Sequence, residues 1–103
     1  MNEGEKMSKQ FKIVYMKADF EPWWQFEGWE EYIVESWTYN SIEAYEVALK
    51  TLIEKMRAQY PNEKQKKEVF YAFWDEQEQE YCEGCDEDAQ VFHGLITENL
   101  SEL

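Results

Sequence analysis

The sequence predicts an α+β fold, a small antiparallel sheet with one long helix packed on it and a C-terminal helix, in a single domain. Three observations carry this expectation. Ile42 to Tyr60 repeats apolar residues at three- and four-residue steps. Phe11–Met16 and Val69–Trp74 are short runs dense in β-branched and aromatic residues. Turn signals separate these segments without any internal repeat, so strands, helix, strands and helix follow one another in 103 residues, the length of one domain.

Taken in order, residues 1–9 are polar and charged and read as a flexible N-terminal tail, leaving 10–103 as the domain. Phe11–Met16 is the first strand. Asp19–Gly28 carries Pro22 and Gly28 around Trp23, Trp24 and Phe26, and reads as a short strand or an ordered loop tied down by aromatics. Glu30–Tyr39 alternates and predicts one strand with a break near Glu35–Ser36. The helix Ile42–Tyr60 has Asn40 or Ser41 as its cap, acids in its first turns, and Lys50, Lys55 and Arg57 toward its C-terminal end, where they complement the dipole. Its stripe of Ile42, Tyr45, Leu49, Leu52, Ile53, Met56 and Tyr60 binds it to a sheet, Glu46 and Lys50 make an i,i+4 pair, and Pro61–Asn62 stops it. Val69–Trp74 is the next strand, Asp75–Gln79 a polar turn, and Glu80–Cys82 the return strand of that hairpin. Asp86 caps a last helix over Glu87–Leu100, with Phe92, Leu95, Ile96 and Leu100 as its stripe and Gly94 as a weak spot.

Ten Lys and Arg stand against 23 Asp and Glu, a formal net charge of −13. No Lys or Arg occurs from Ala18 to Leu49 or from Glu68 to the end, and the latter stretch holds eleven acids. Nucleic acid binds through Lys and Arg, so this balance makes it an unlikely partner and favours a protein partner with a basic surface. Lys64, Lys66 and Lys67 form the one local basic cluster, read as solvated surface. No apolar run approaches the ~20 residues of a membrane span. No basic-then-apolar leader opens the chain, which with two cysteines predicts a reducing, cytoplasmic location.

Asp19-Phe20-Glu21-Pro22-Trp23-Trp24, then Phe26 and Gly28-Trp29-Glu30-Glu31, is an unusual run. Ala72-Phe73-Trp74-Asp75, Cys82-x-x-Cys85-Asp86 and His93 follow it. Together these residues resemble the bacterial family known as domain of unknown function 1033, over roughly residues 11–96. The resemblance implies a short cytoplasmic protein of Gram-positive bacteria, a group in which some members carry a DNA-binding label. It brings no catalytic residue. No helix-turn-helix, zinc finger or basic recognition helix supports the label in this sequence.

Two constellations are candidates for function. Asp19, Glu21, Trp23, Trp24, Trp29 and Glu30 set aromatic faces among carboxylates, a combination that anchors partners and takes cations through their charge. Adjacent Trp23 and Trp24 point to opposite sides of an extended chain, so one of them is expected to be partly exposed. Core packing is the ordinary reading of such a cluster, and the exposed member marks the surface where binding would occur. Cys82, Cys85 and His93 have the spacing C-x2-C-x7-H. Two thiolates two residues apart can grip zinc, but a fourth ligand has to come from a carboxylate or water. Ordinary reduced cysteines without a cofactor are expected, with zinc and a redox dithiol as alternatives. Glu83, Asp86, Glu87 and Asp88 oppose a thiolate. No nucleophile elbow, phosphate loop or dinucleotide fingerprint is present, so a non-enzymatic interaction module is the expected function. A metal-bearing regulatory or DNA-binding protein is the alternative, and the oligomeric state is not legible.

Overall fold

A computed structural model describes residues 10–82 and 87–99, with only the backbone of Cys82. Seven strands and one α-helix form it. They are β1 (Phe11–Ala18), β2 (Ile33–Tyr39), α1 (Ile42–Gln59), β3 (Asn62–Lys66), β4 (Phe70–Trp74), β5 (Gln79–Cys82), β6 (Glu87–Gln90) and β7 (Phe92–Asn99). A 3-10 turn at Trp29–Tyr32 precedes β2. The main sheet is antiparallel, in the order β2-β1-β7-β4-β3, and β5-β6 form a separate two-stranded ladder.

The expected C-terminal helix does not form, and the α+β arrangement with two helices is corrected accordingly. The described residues are mostly sheet, 47% strand and 26% helix, with one helix and a 3-10 turn among them. Glu87–Gln90 and Phe92–Asn99 are strands. The reason lies in the position of β7. It is the central strand, paired with β1 on one side and β4 on the other, and Leu95 and Ile96 point to opposite faces that are both covered. A strand buried on both faces reads as a continuous apolar run, which spacing alone does not separate from a helix. Ile96 and Thr97 are β-branched and Gly94 disfavours a helix, so local preference also sides with the strand. Asp86 and Leu100, the expected cap and last stripe residue, lie outside the described residues.

Other elements match or shift. Ser41 is the helix cap, its hydroxyl accepting from the Ala44 N–H at 3.0 Å. Glu46 and Lys50 form no ion pair; Arg57 instead grips Glu63 of β3 through two hydrogen bonds of 2.8 and 2.9 Å. The irregularity in β2 falls between Ile33 and Glu35, where the register with β1 slips, and Glu35 and Ser36 are regularly paired. Cys82 and its neighbours return against β6, not against β4. Residues 62–66, read only as a stop and a basic cluster, are strand β3.

The helix runs from one edge of the sheet to the other and covers one face. Met56, Leu52, Ile53 and Tyr45 pack there with Ile13, Phe73 and Leu95, and Trp37 and Tyr39 close the β2 side. The opposite face is covered by the loop between β1 and β2. Phe20, Trp29 and Ile33 pack with Val14, Met16 and Ile96, and Pro22 is fully buried. Gly28, at φ +88, opens the 3-10 turn in the left-handed region that glycine adopts without strain.

Candidate functional site

On the loop-covered face, short turns order the aromatic run. Trp24 N–H donates to the Glu21 carbonyl at 3.1 Å and Trp29 N–H to the Phe26 carbonyl at 2.9 Å. Trp29 is turned inward and Trp23 is half-buried. Trp24 and Phe26 stack on each other at 6.2 Å and remain 49% and 57% exposed. Phe20 meets both Phe26 and Tyr32 edge-on. Asp19 and Glu30 are exposed and Glu21 half-buried. Asp19 lies in a groove of about 290 Å³ beside Lys17, Tyr32 and Tyr81. The lysines of β3 reach this surface: Lys66 Nζ is 5.3 Å from the Trp23 ring and 5.8 Å from that of Trp24, and Lys64 Nζ is 5.8 Å from Trp23. The chain therefore places its own cations on these rings.

Of the second constellation, only His93 is fully described. Cys85 lies outside the described residues, and of Cys82 only the backbone is placed. Among the described residues no group of three His, Cys, Asp or Glu side chains is arranged to hold a metal. His93 is 4% exposed, on β7, and both its ring nitrogens have protein partners. Nε2 is 2.8 Å from Glu78 Oε1, Nδ1 is 2.7 Å from the Tyr15 hydroxyl, and the Tyr60 hydroxyl lies 3.4 Å from the same Nδ1. A carboxylate oxygen accepts, so Nε2 carries the ring hydrogen and Nδ1 receives a hydroxyl hydrogen. Tyr60 stacks on the imidazole at 4.3 Å.

Several elements hold this cluster. Tyr15 comes from β1, two register positions from Lys17, which faces His93 across the ladder. Tyr60 is the residue that ends α1, its N–H bonded to the Met56 carbonyl. Glu78 is set by the turn after β4: its N–H donates to the Asp75 carbonyl, and the Gln90 side-chain amide donates to the carbonyls of Asp75, Glu78 and Val91. Burial pushes the Tyr15 phenol up to about 12, with the Tyr60 and Glu78 charges adding to the effect. The Tyr60 phenol is raised for the same leading reason, with Glu78 reinforcing it and Lys17 opposing it. Both hydroxyls therefore stay protonated donors at neutral pH.

By sequence, Tyr15 is a strand residue, Tyr60 part of an apolar stripe and Glu78 a polar turn residue. The only signal for their convergence was the single histidine, set in the apolar run Val91-Phe92-His93-Gly94-Leu95.

Fold and site together define a small, acidic, mostly β protein, its antiparallel sheet crossed by one helix and its second face capped by an aromatic loop. No described helix is long and apolar enough to cross a membrane. The family model described as Protein of unknown function (DUF1033) matches residues 10–102, and the chain belongs to that family. No curated protein and no solved structure matches it.

Proposed function

We propose that the chain is a cytoplasmic, non-enzymatic protein-interaction module, and that its contact surface is the acidic aromatic loop between β1 and β2. One observation carries the reading: Trp24 and Phe26 are held in a stacked pair by the turns around them and left half exposed or more. Ordered, exposed aromatic pairs are what interface anchors look like, because they bring large contact area with little side-chain entropy to lose.

The chemistry of the partner follows from the rim. Glu27, Glu30 and Glu31 are exposed, and none is ion-paired with another described residue. Lys64 and Lys66 are already engaged over Trp23 and Trp24. A partner surface with Lys or Arg at its edge and an apolar centre complements this pattern, and the charge of −13 steers it in.

Affinity capture from bacterial lysate tests the reading. Wild type retains a stoichiometric protein at low salt, releases it at high salt, and fails to retain it once Trp24 and Phe26 are both alanine. Equal capture by the folded double variant, or no salt-sensitive partner at all, overturns it.

A further inference from the structure

A second surface lies on the opposite, helix-covered face. A groove of about 330 Å³ runs between β2 and the second half of α1, at the small end of the range that takes metabolites. Tyr15, Trp37 and Tyr60 form aromatic walls, with Leu52 and Met56 between them. Opposite charges stand on the two rims: Glu35 on β2 and Lys55 on α1. Neither is ion-paired with a described residue, although both line the same groove.

Behind the groove, the buried imidazole leaves a donor in excess. His93 Nδ1 has one lone pair, and the Tyr15 hydroxyl takes it at 2.7 Å. The Tyr60 hydroxyl, at 3.4 Å from the same atom, is left with a stretched bond and no other described partner. Its hydrogen is not taken by that occupied lone pair, and Tyr60 itself lines the groove. Three features thus coincide: an aromatic slot, a separated pair of opposite charges, and a hydroxyl donor fixed from behind by His93 and Glu78.

We propose that this groove binds a small zwitterion bearing an aromatic ring, with the size and charge pattern of a free aromatic α-amino acid. The ring lies against Trp37. The carboxylate meets Lys55 and accepts the Tyr60 hydroxyl hydrogen, and the ammonium meets Glu35. This site is separate from the Trp24–Phe26 surface and stands or falls without it.

The test is a nuclear magnetic resonance titration of the isotope-labelled full chain with L-phenylalanine. Phenylacetate, which lacks the ammonium, and phenethylamine, which lacks the carboxylate, serve as comparison ligands. Saturable shifts are expected around Glu35–Trp37 and Leu52–Tyr60, and not at Trp24–Phe26. Each comparison ligand should bind roughly five- to tenfold more weakly, the scale of one partly exposed charge-assisted hydrogen bond. Lys55→Gln should narrow the advantage of phenylalanine over phenethylamine, and Glu35→Gln should erase its advantage over phenylacetate. Both positions are exposed, so the variants keep the fold, which their spectra report directly. Tyr60→Phe should weaken the two carboxylates and leave phenethylamine unchanged. Absence of saturable shifts up to the solubility limit of phenylalanine overturns the proposal, as do affinities indifferent to the charge variants.

Discussion

Pro22 lies directly on Gly94. A Cβ built on the glycine would stand 2.8 Å from Pro22 Cβ, 2.9 Å from Pro22 Cγ and 3.2 Å from Met16 Cγ. Real Cβ atoms do not approach that closely, and the proline ring cannot swing away as a flexible side chain would. The glycine in the middle of β7 is therefore the seat on which the aromatic loop docks. It costs strand propensity and returns a close approach. Gly94→Ala should lower stability by about 1–3 kcal/mol, the usual range for overpacking. It should also loosen the loop, so that Trp24 fluorescence becomes more accessible to quenchers. Urea denaturation of a variant as stable as wild type would show that Pro22 is not seated there.

The turn between β3 and β4 stores strain. Lys67 and Glu68 both have positive φ, 55 and 59, and Val69 N–H reaches back to the Lys66 carbonyl at 3.3 Å. Two central residues with positive φ are what a tight antiparallel hairpin needs, but Asn-Gly is the pair that adopts them readily. A residue with a Cβ pays roughly 1–2 kcal/mol in that region. Replacing Lys67-Glu68 with Asn-Gly should therefore stabilise the protein by about 1 kcal/mol after the added chain entropy of glycine is counted. A lower melting temperature would contradict this.

Much of the fold was legible and the failures have specific causes. The helix was visible because one face of it is buried: Tyr45, Leu49, Leu52, Ile53 and Met56 all pack toward the sheet. Strands β1 and β4 were visible from their β-branched and aromatic content. Strand β7 was not, because a central strand lacks the alternation that separates strand from helix. Strand β3, Asn-Glu-Lys-Gln-Lys, has no strand propensity to read; its pairing with β4, Lys64 opposite Ala72, imposes the conformation. Its charges suit an edge that must not pair further. The aromatic run was legible as a site because its residues are neighbours in sequence. The Tyr15–His93 contact spans 78 positions and follows only from the β1–β7 register.

The buried histidine should matter more than either tyrosine hydroxyl. Removing the imidazole leaves the Tyr15 hydroxyl and the Glu78 carboxylate without their partner and opens a gap against the Tyr60 ring. His93→Ala should destabilise by about 2–4 kcal/mol, combining a lost buried hydrogen-bond network with a cavity. Tyr60→Phe, which removes only the stretched 3.4 Å contact, should cost under about 0.5 kcal/mol. Chemical denaturation of the two variants distinguishes them, and equal losses would show that the network is not centred on His93.

Tyr15 supplies a pH dependence whose sign can be worked out. Its phenol titrates at about 12 in the folded protein against an ordinary value of 10.0. Burial is the leading cause, followed by Tyr60 and Glu78. The folded state thus holds the proton more tightly than the unfolded chain. The contribution is fully present below pH 10, where both states are protonated, and it is lost as pH rises from 10 to about 12, where the unfolded chain ionises first. Tyr60 and Tyr71, raised mainly by burial, fall in the same direction. Tyr15→Phe should therefore be less stable than wild type near neutrality, by about 1 kcal/mol for the lost hydrogen bond to His93. Its alkaline decline should be shallower, so the two stability curves converge across that window. Tyrosinate absorbance of the native protein should lose one late-titrating phenol in the variant. Parallel stability curves, or an unchanged late titration, would place the Tyr15 hydroxyl in contact with solvent and not against the imidazole.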